Sequence, residues 1–138
     1  MPKLSRQNLL RILDANVNRV KEGLRVCEDI CRFVWDEPRA TKELKAIRHA
    51  VTSALQDLDM KELIGARDIA GDVGKASRKS ELTRRDVKDI FLANAQRCKE
   101  SLRVLEEFAK LLNGSCARKF KVARYKLYDV EKKLTARL

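Results

Sequence analysis

Residues 15–28 read ANVNRVKEGLRVCE and residues 93–106 read ANAQRCKESLRVLE. At a shift of 78, nine of the fourteen positions are identical: Ala15/Ala93, Asn16/Asn94, Arg19/Arg97, Lys21/Lys99, Glu22/Glu100, Leu24/Leu102, Arg25/Arg103, Val26/Val104 and Glu28/Glu106. Amphipathic helices resemble one another through their apolar pattern, which accounts for Leu24 and Val26 but not for a shared Asn, shared basic residues and shared carboxylates. The stretch is therefore an internal repeat.

A weaker correspondence follows at a shift of 76. Leu44, Ile47, Val51, Ala54 and Leu58 stand over Phe120, Ala123, Leu127, Val130 and Leu134, with Lys45 over Lys121 and Arg48 over Arg124. Both sets step by three and four, the stripe of an α-helix. The unit is thus a long helix followed by a shorter one, used twice. Pro38 suits the first turn of the second helix. Thr83 with Asp86 three residues on resembles a capping box, and Asn113-Gly114-Ser115 supplies a stop and a new cap. These signals predict helices near 6–34, 38–58, 84–112 and 116–135, with one turn around Lys61. No stretch alternates as a strand. The expected fold is all-α: one domain over 1–138, with repeat one at about 6–58, a Gly-rich central loop at 65–80 and repeat two at about 84–135, the halves related by a pseudo-twofold axis.

Composition agrees with long amphipathic helices. Hydrophobic residues are 44% and charged residues 37%, with 5 Gly and 2 Pro among 138 residues, which excludes disordered and collagen-like chains. No apolar run approaches the roughly 18 residues of a membrane span, and the start MPKLSRQNLLRIL lacks the pattern of a signal peptide; a soluble, cytoplasmic protein with no membrane partner is expected. Of the 4 cysteines, Cys27 and Cys31 share a face with Leu13, Val20 and Leu24, while Cys98 and Cys116 stand apart. That spacing suits small core residues better than a zinc site or a disulfide framework.

The net charge of +11 invites a nucleic-acid reading, since phosphate contacts by Lys and Arg gain affinity whatever the sequence. Acidic residues are interspersed along the chain, however, and the 5% of aromatics are not interleaved with basic residues as a single-strand stacking surface requires. The same charge suits a pocket for small phosphorylated ligands.

Two features point to such a pocket. On a wheel of roughly 100° per residue, the first helix has a main apolar stripe of Leu9, Leu13, Val17, Val20, Leu24, Cys27 and Cys31. Its second stripe holds Ile12, Ala15, Val26, Ile30 and Phe33, and Arg19 and Glu22 fall inside it, with Asn16 at its border. The other long helix repeats this with Asn94, Arg97 and Glu100. Partly buried charges must be paired or matched to a ligand, so these six residues are expected to converge, either as a self-satisfied network or as the floor of a substrate site. The second feature is GARDIAGDVGKASRKS at 65–80, which holds three of the five glycines. A loop of this length in a small helical domain is usually functional or a tether. Arg67 and Lys75 offer charge for phosphate, and Asp68 and Asp72 offer carboxylates for a hard cation such as Mg²⁺. There is no Walker or dinucleotide fingerprint and no Ser-His or Cys-His pairing; phosphoryl transfer here would rest on positioning and charge stabilisation.

RILDANVNRVKEGLRVCEDICRF, LKAIRHAV, ARDIAGDVG and DIFLANAQRCKESLRVLEEFAKL together resemble, over about residues 8–135, the helical domain found N-terminal to thiamine-phosphate synthase in some bacteria and also found alone. That family is identified as a hydroxymethylpyrimidine-phosphate kinase unrelated to the ribokinase-like enzymes. The resemblance implies conversion of 4-amino-2-methyl-5-hydroxymethylpyrimidine phosphate to the diphosphate, with ATP as co-substrate and Mg²⁺ as cofactor. It further implies a catalytic and metal-binding role for Asp68 and Asp72 beside Arg67, and substrate contacts from the helical cluster and Lys75. The resemblance leaves a separate thiamine-phosphate synthase as a candidate partner, and a four-helix unit of this length, burying a limited fraction of its chain, leaves room for a homodimer. Two other readings remain open from the residues alone: a non-catalytic module that dimerises or binds a partner through the second stripe, and a basic nucleic-acid-binding domain.

Overall fold

A computed structural model describes residues 1–78 and 82–138, and the described residues form five α-helices and no strand. They are α1 (Arg6–Phe33), α2 (Pro38–Ala54), α3 (Met60–Gly65), α4 (Val87–Ala109) and α5 (Gly114–Thr135). Of the expected central loop, Lys79 and Ser80 lie outside the described residues.

Local chemistry sets most helix ends. The Ser5 side chain accepts from Asn8 N, Asp59 from Lys61 N, and Asn113 from Cys116 N, each satisfying an amide that has no intrahelical partner. Pro38 opens α2 where its missing N–H costs nothing. Thr83 does not cap α4 as expected. Asp86 does, accepting from Asp89 N at 2.9 Å, because a carboxylate directly before the first turn also meets the positive end of the helix dipole. The expected single turn at Lys61 is the six-residue α3.

The four long helices close a ring of neighbours: α1 packs on α4, α4 on α5, α5 on α2 and α2 on α1, with α3 added to α1. The α1–α4 contact decides the rest. Cys98 Sγ donates to the Val20 carbonyl at 3.5 Å and Cys27 Sγ to the Phe91 carbonyl at 3.7 Å, so the two helices run antiparallel. They cross at Gly23, where a Cβ would strike Cys98 Sγ and come within 3.2 Å of the Asn94 carbonyl oxygen. The second layer, α2 and α5, is antiparallel as well: Cys116 Sγ bonds the Ala54 carbonyl at 3.1 Å, and at the opposite end Arg137 Nη1 meets Glu37 Oε1 at 2.7 Å. Between the layers lies a continuous core in which Leu13, Leu24, Leu44, Ile47, Phe91, Leu102, Leu105, Phe120 and Leu127 are fully buried. All four cysteines are free and buried. Burial pushes the Cys27 and Cys98 thiols up, Cys98 to about 12, which makes them inert.

Each half carries the same polar contact inside its own hairpin. Glu28 on α1 accepts from Arg48 on α2 at 3.1 Å, and Glu106 on α4 accepts from Arg124 on α5 at 3.0 Å. Both carboxylates are buried at 5% exposure, so each depends on its guanidinium. These are the Glu28/Glu106 and Arg48/Arg124 correspondences of the repeat.

Arg48→Met should leave Glu28 buried and unpaired, and cost about 3–5 kcal/mol, read as a lower urea midpoint by circular dichroism; Glu28→Gln added to it should recover part of the loss. Gly23→Ala should cost about 1–3 kcal/mol through overpacking at the crossing, read in the same titration.

Candidate functional site

One side of α1 and the segment after α3 form the walls of an open cleft of about 750 Å³. The helix wall is made by Asn8, Arg11, Ile12, Ala15, Asn16 and Arg19, one face at steps of three and four; the opposite wall is Arg67, Asp68, Ile69 and Asp72.

The segment is fastened to α1 through Asp14. Arg67 Nε and Nη2 donate to the two carboxylate oxygens of Asp14 at 2.7 and 2.8 Å, and Asn18 Nδ2 adds a third bond at 3.2 Å. Asp14 is 5% exposed, so a buried carboxylate is answered by a two-pronged guanidinium, the strongest geometry available to it. The same bonds and the Asp14 charge hold the Arg67 pKa above its ordinary value. Arg67 therefore serves first as the tether of the loop.

Beyond the tether the loop is shaped by its own carboxylates. Asp68 Oδ1 accepts from Gly71 N and Asp72 Oδ1 from Gly74 N, both at 2.8 Å, turns in which an aspartate mimics the backbone. A Cβ at Gly71 would overlap the Asp68 carboxylate and lie 2.9 Å from its Cγ, so a side chain there would displace that carboxylate. Both aspartates are exposed and line the cleft, and among the described residues the second carboxylate oxygen of neither takes a hydrogen bond.

On the helix wall Asn16 is buried. Its Nδ2 donates to the Ile12 carbonyl at 2.8 Å, and its Oδ1 accepts from Arg19 Nη1 at 3.2 Å, which aims that guanidinium. Among the described residues neither Arg11 nor Arg19 has a carboxylate partner, and neither Asp68 nor Asp72 has a cationic one. The cleft thus presents two guanidinium groups and two carboxylates, none in an ion pair among the described residues, around the apolar side chains of Leu4, Ile12 and Ile69. No group of three or more His, Cys, Asp or Glu stands close enough to cage a metal among the described residues. Two carboxylates with one free oxygen each fit an ion that completes its shell with phosphate oxygens and water, as Mg²⁺ does.

The cleft brings together Asn16, Arg19, Arg67, Asp68 and Asp72 of the residues named from the sequence. Lys75 lies on the exposed loop beyond it, and Glu22, Asn94, Arg97 and Glu100 are not among its walls. Arg19, Glu22, Arg97 and Glu100 are exposed instead of partly buried, because no helix covers the side of α1 and α4 that faces away from α2 and α5. Asn94 repeats the Asn16 bond to a carbonyl one turn back, that of Ile90, at 2.8 Å, but holds no arginine. Sequence reasoning missed Arg11 and Asp14. Their counterparts in the second repeat are Asp89 and Leu92, so neither carried the signature of duplication.

Known proteins place the chain. A family model described as the ThiD2 family matches residues 11–133. A protein named thiamine-phosphate synthase from Synechocystis sp. is 39% identical over 132 residues, covering 95% of this chain and 37% of that protein. One of the same name from Rhodopirellula baltica is 35% identical over 139 residues, covering 100% and 37%, and one from Nostoc punctiforme is 39% identical over 129 residues, covering 93% and 36%. The chain therefore spans little more than a third of the length of these relatives. No solved structure matches it.

Asp14→Ala should free the loop without melting the bundle. Loss of a hydrogen bond to a charged group, worth about 1.5–3 kcal/mol, corresponds to local opening roughly tenfold or more easier. Amide exchange should accelerate by that factor at Arg67 and Asp72, while amides of the α1–α4 seam keep their protection.

Proposed function

The chain belongs to the ThiD2 family, and on that premise we propose that it transfers the γ-phosphoryl group of ATP to 4-amino-2-methyl-5-hydroxymethylpyrimidine phosphate in thiamine biosynthesis. The observation that carries this reading is the pair of guanidinium groups without a carboxylate partner, Arg11 and Arg19, set across the cleft from the carboxylates of Asp68 and Asp72, which have no cationic partner among the described residues.

An oxygen of the pyrimidine's phosphate attacks the γ-phosphorus of ATP, the bond from that phosphorus to the β–γ bridging oxygen breaks, and ADP leaves with the electron pair. The product is the pyrimidine diphosphate. A phosphomonoester is already largely dianionic at neutral pH, so the attacking oxygen needs no general base, which suits a cleft lined by neither His nor Cys, where the buried Asp14 carboxylate is committed to Arg67. The difficulty is electrostatic, since two polyanions must meet. Arg11 and Arg19 neutralise the phosphates, Asn16 keeps Arg19 in place, and Ile12 and Ile69 offer apolar surface to the pyrimidine ring. Mg²⁺, held by the free oxygens of Asp68 and Asp72, would supply further charge neutralisation when bound. The diphosphate would then pass to a thiamine-phosphate synthase, the activity for which the relatives are named.

Purified protein with the pyrimidine phosphate, ATP and Mg²⁺ should release ADP in a coupled assay, and only when all three are present; turnover no faster than a protein-free blank overturns the reading. Arg11→Ala, Arg19→Ala and Asp72→Asn should each lower kcat/KM by about 10²–10³-fold, the usual loss for one group stabilising transition-state charge, with the helical dichroism unchanged. Gly71→Ala should also depress activity by displacing the Asp68 carboxylate. A fully active Asp72→Asn would remove the loop from the site.

A further inference from the structure

Three asparagines of α1 line the cleft, Asn8, Asn16 and Asn18. Two are turned to tasks within the chain: Asn16 bonds the Ile12 carbonyl and Arg19, and Asn18 Nδ2 bonds the Asp14 carboxylate. Asn8 is different. It is exposed, and among the described residues no hydrogen bond engages its side-chain amide, only its backbone N–H being used, by the Ser5 cap. Leu4, just before that cap, and Ile12, one turn after Asn8, line the cleft beside it, with Ile69 on the other wall. A carboxamide offers a donor and an acceptor side by side. Its complement is the edge of a flat ring on which an amino group stands next to a ring nitrogen, the pairing by which asparagine reads adenine.

Both substrates of the proposed reaction carry such an edge, and the neighbour of Asn8 distinguishes them. Arg11 also lines the cleft. It is three residues further on, which puts the two Cβ atoms about 5–6 Å apart on one side of the helix. A ligand held by both residues must therefore carry its amino edge and its phosphate close together. In the pyrimidine phosphate the amino group and the phosphate-bearing arm stand on adjacent ring carbons, whereas in ATP the ribose separates adenine from the nearest phosphate. Arg19 lies two turns beyond Arg11, about 12 Å along the helix axis.

Resting on the kinase reading for the identity of the substrates, we propose that Asn8 selects the aminopyrimidine. Its Oδ1 accepts from the 4-amino group, its Nδ2 donates to the adjacent ring nitrogen, Arg11 takes the phosphate on the neighbouring arm, and the ring lies against Ile12. The cleft then has a direction, with the accepting substrate at the Leu4 end and the phosphates of ATP at the Arg19 end. Asn8 is a specificity residue, since the 4-amino group takes no part in the transfer.

Calorimetric titration of the purified chain with the pyrimidine phosphate, in the absence of ATP, reads this without turnover. Asn8→Ala should raise the Kd about 10–100-fold, the range of one two-pronged pair, and leave the Kd for ATP with Mg²⁺ unchanged. An analogue with hydrogen in place of the 4-amino group should bind the wild type as weakly as the parent binds Asn8→Ala, and Asn8→Ala should no longer tell the two apart. Arg11→Ala should weaken the pyrimidine phosphate and spare ATP, and Arg19→Ala should do the reverse. The side chain of Asn8 is exposed, so the helical dichroism should persist in its variant. The proposal is overturned by an Asn8→Ala chain that binds the parent as tightly as the wild type, that still prefers the parent to the analogue, or that loses ATP instead. It is equally overturned by a wild type that binds no pyrimidine phosphate, or by an Arg11→Ala chain that loses ATP in place of it. The fate of the kinase reading is separate. Asn8-dependent binding with no release of ADP keeps the recognition and removes the transfer, whereas release of ADP by a chain indifferent to Asn8→Ala does the opposite.

Discussion

The backbone-to-backbone approach of α1 and α4 at Gly23 organises the molecule. With Cys98 Sγ and the Asn94 carbonyl where a side chain would otherwise stand, the two helices are in close contact, and the Cys98 bond to the Val20 carbonyl fastens the level at which they cross. Everything lateral follows from that seam. Leu13, Leu24, Leu102 and Leu105 are directed toward one side, where α2 and α5 cover them. Asn16 and Asn94 lie along the other side and turn their amides back onto their own helices. A bulkier contact at Gly23 would push α1 and α4 apart.

Much of this was legible in the amino-acid sequence because it is written in short-range chemistry. The steps of three and four gave helices that the structure reproduces within a few residues, and Pro38 and Asn113 act where their chemistry requires. What periodicity cannot say is whether a neighbour covers a stripe. Arg19 and Glu22 sit among apolar positions of α1, which suggested partial burial; they are exposed because no other element packs over that stripe. The partners of the two buried glutamates were likewise visible only as matched letters. Glu28 and Arg48 both recur in the second half, but that they meet each other, and so do Glu106 and Arg124, depends on helix packing.

The cleft illustrates a different limit. Reasoning from a repeat favours what the halves share, and the cleft lies where they diverge. Arg11, Asp14 and Asn18 correspond to Asp89, Leu92 and Gln96, so the second half has neither the buried carboxylate that fastens a loop nor the guanidinium beside it. Asp14 matters because of Arg67, fifty-three residues away in the chain, and no local pattern announces such a pair. The loop itself was conspicuous for its glycines, and its two aspartates were identified; the side chain that anchors it was not. A duplicated scaffold thus acquired its ligand-facing chemistry on one side only.

The two ion pairs carry a consequence for how such a chain holds together. Each joins residues of a single hairpin, twenty apart in one case and eighteen in the other, so each hairpin satisfies its own buried charge without help from the other. What a hairpin cannot do alone is cover Leu13 and Leu24, or Leu102 and Leu105. For separate hairpins that covering would be a bimolecular event, governed by concentration. Joined by the segment between α3 and α4, they meet at a high and constant effective concentration, and the stability of the four-helix unit no longer depends on how dilute the protein is.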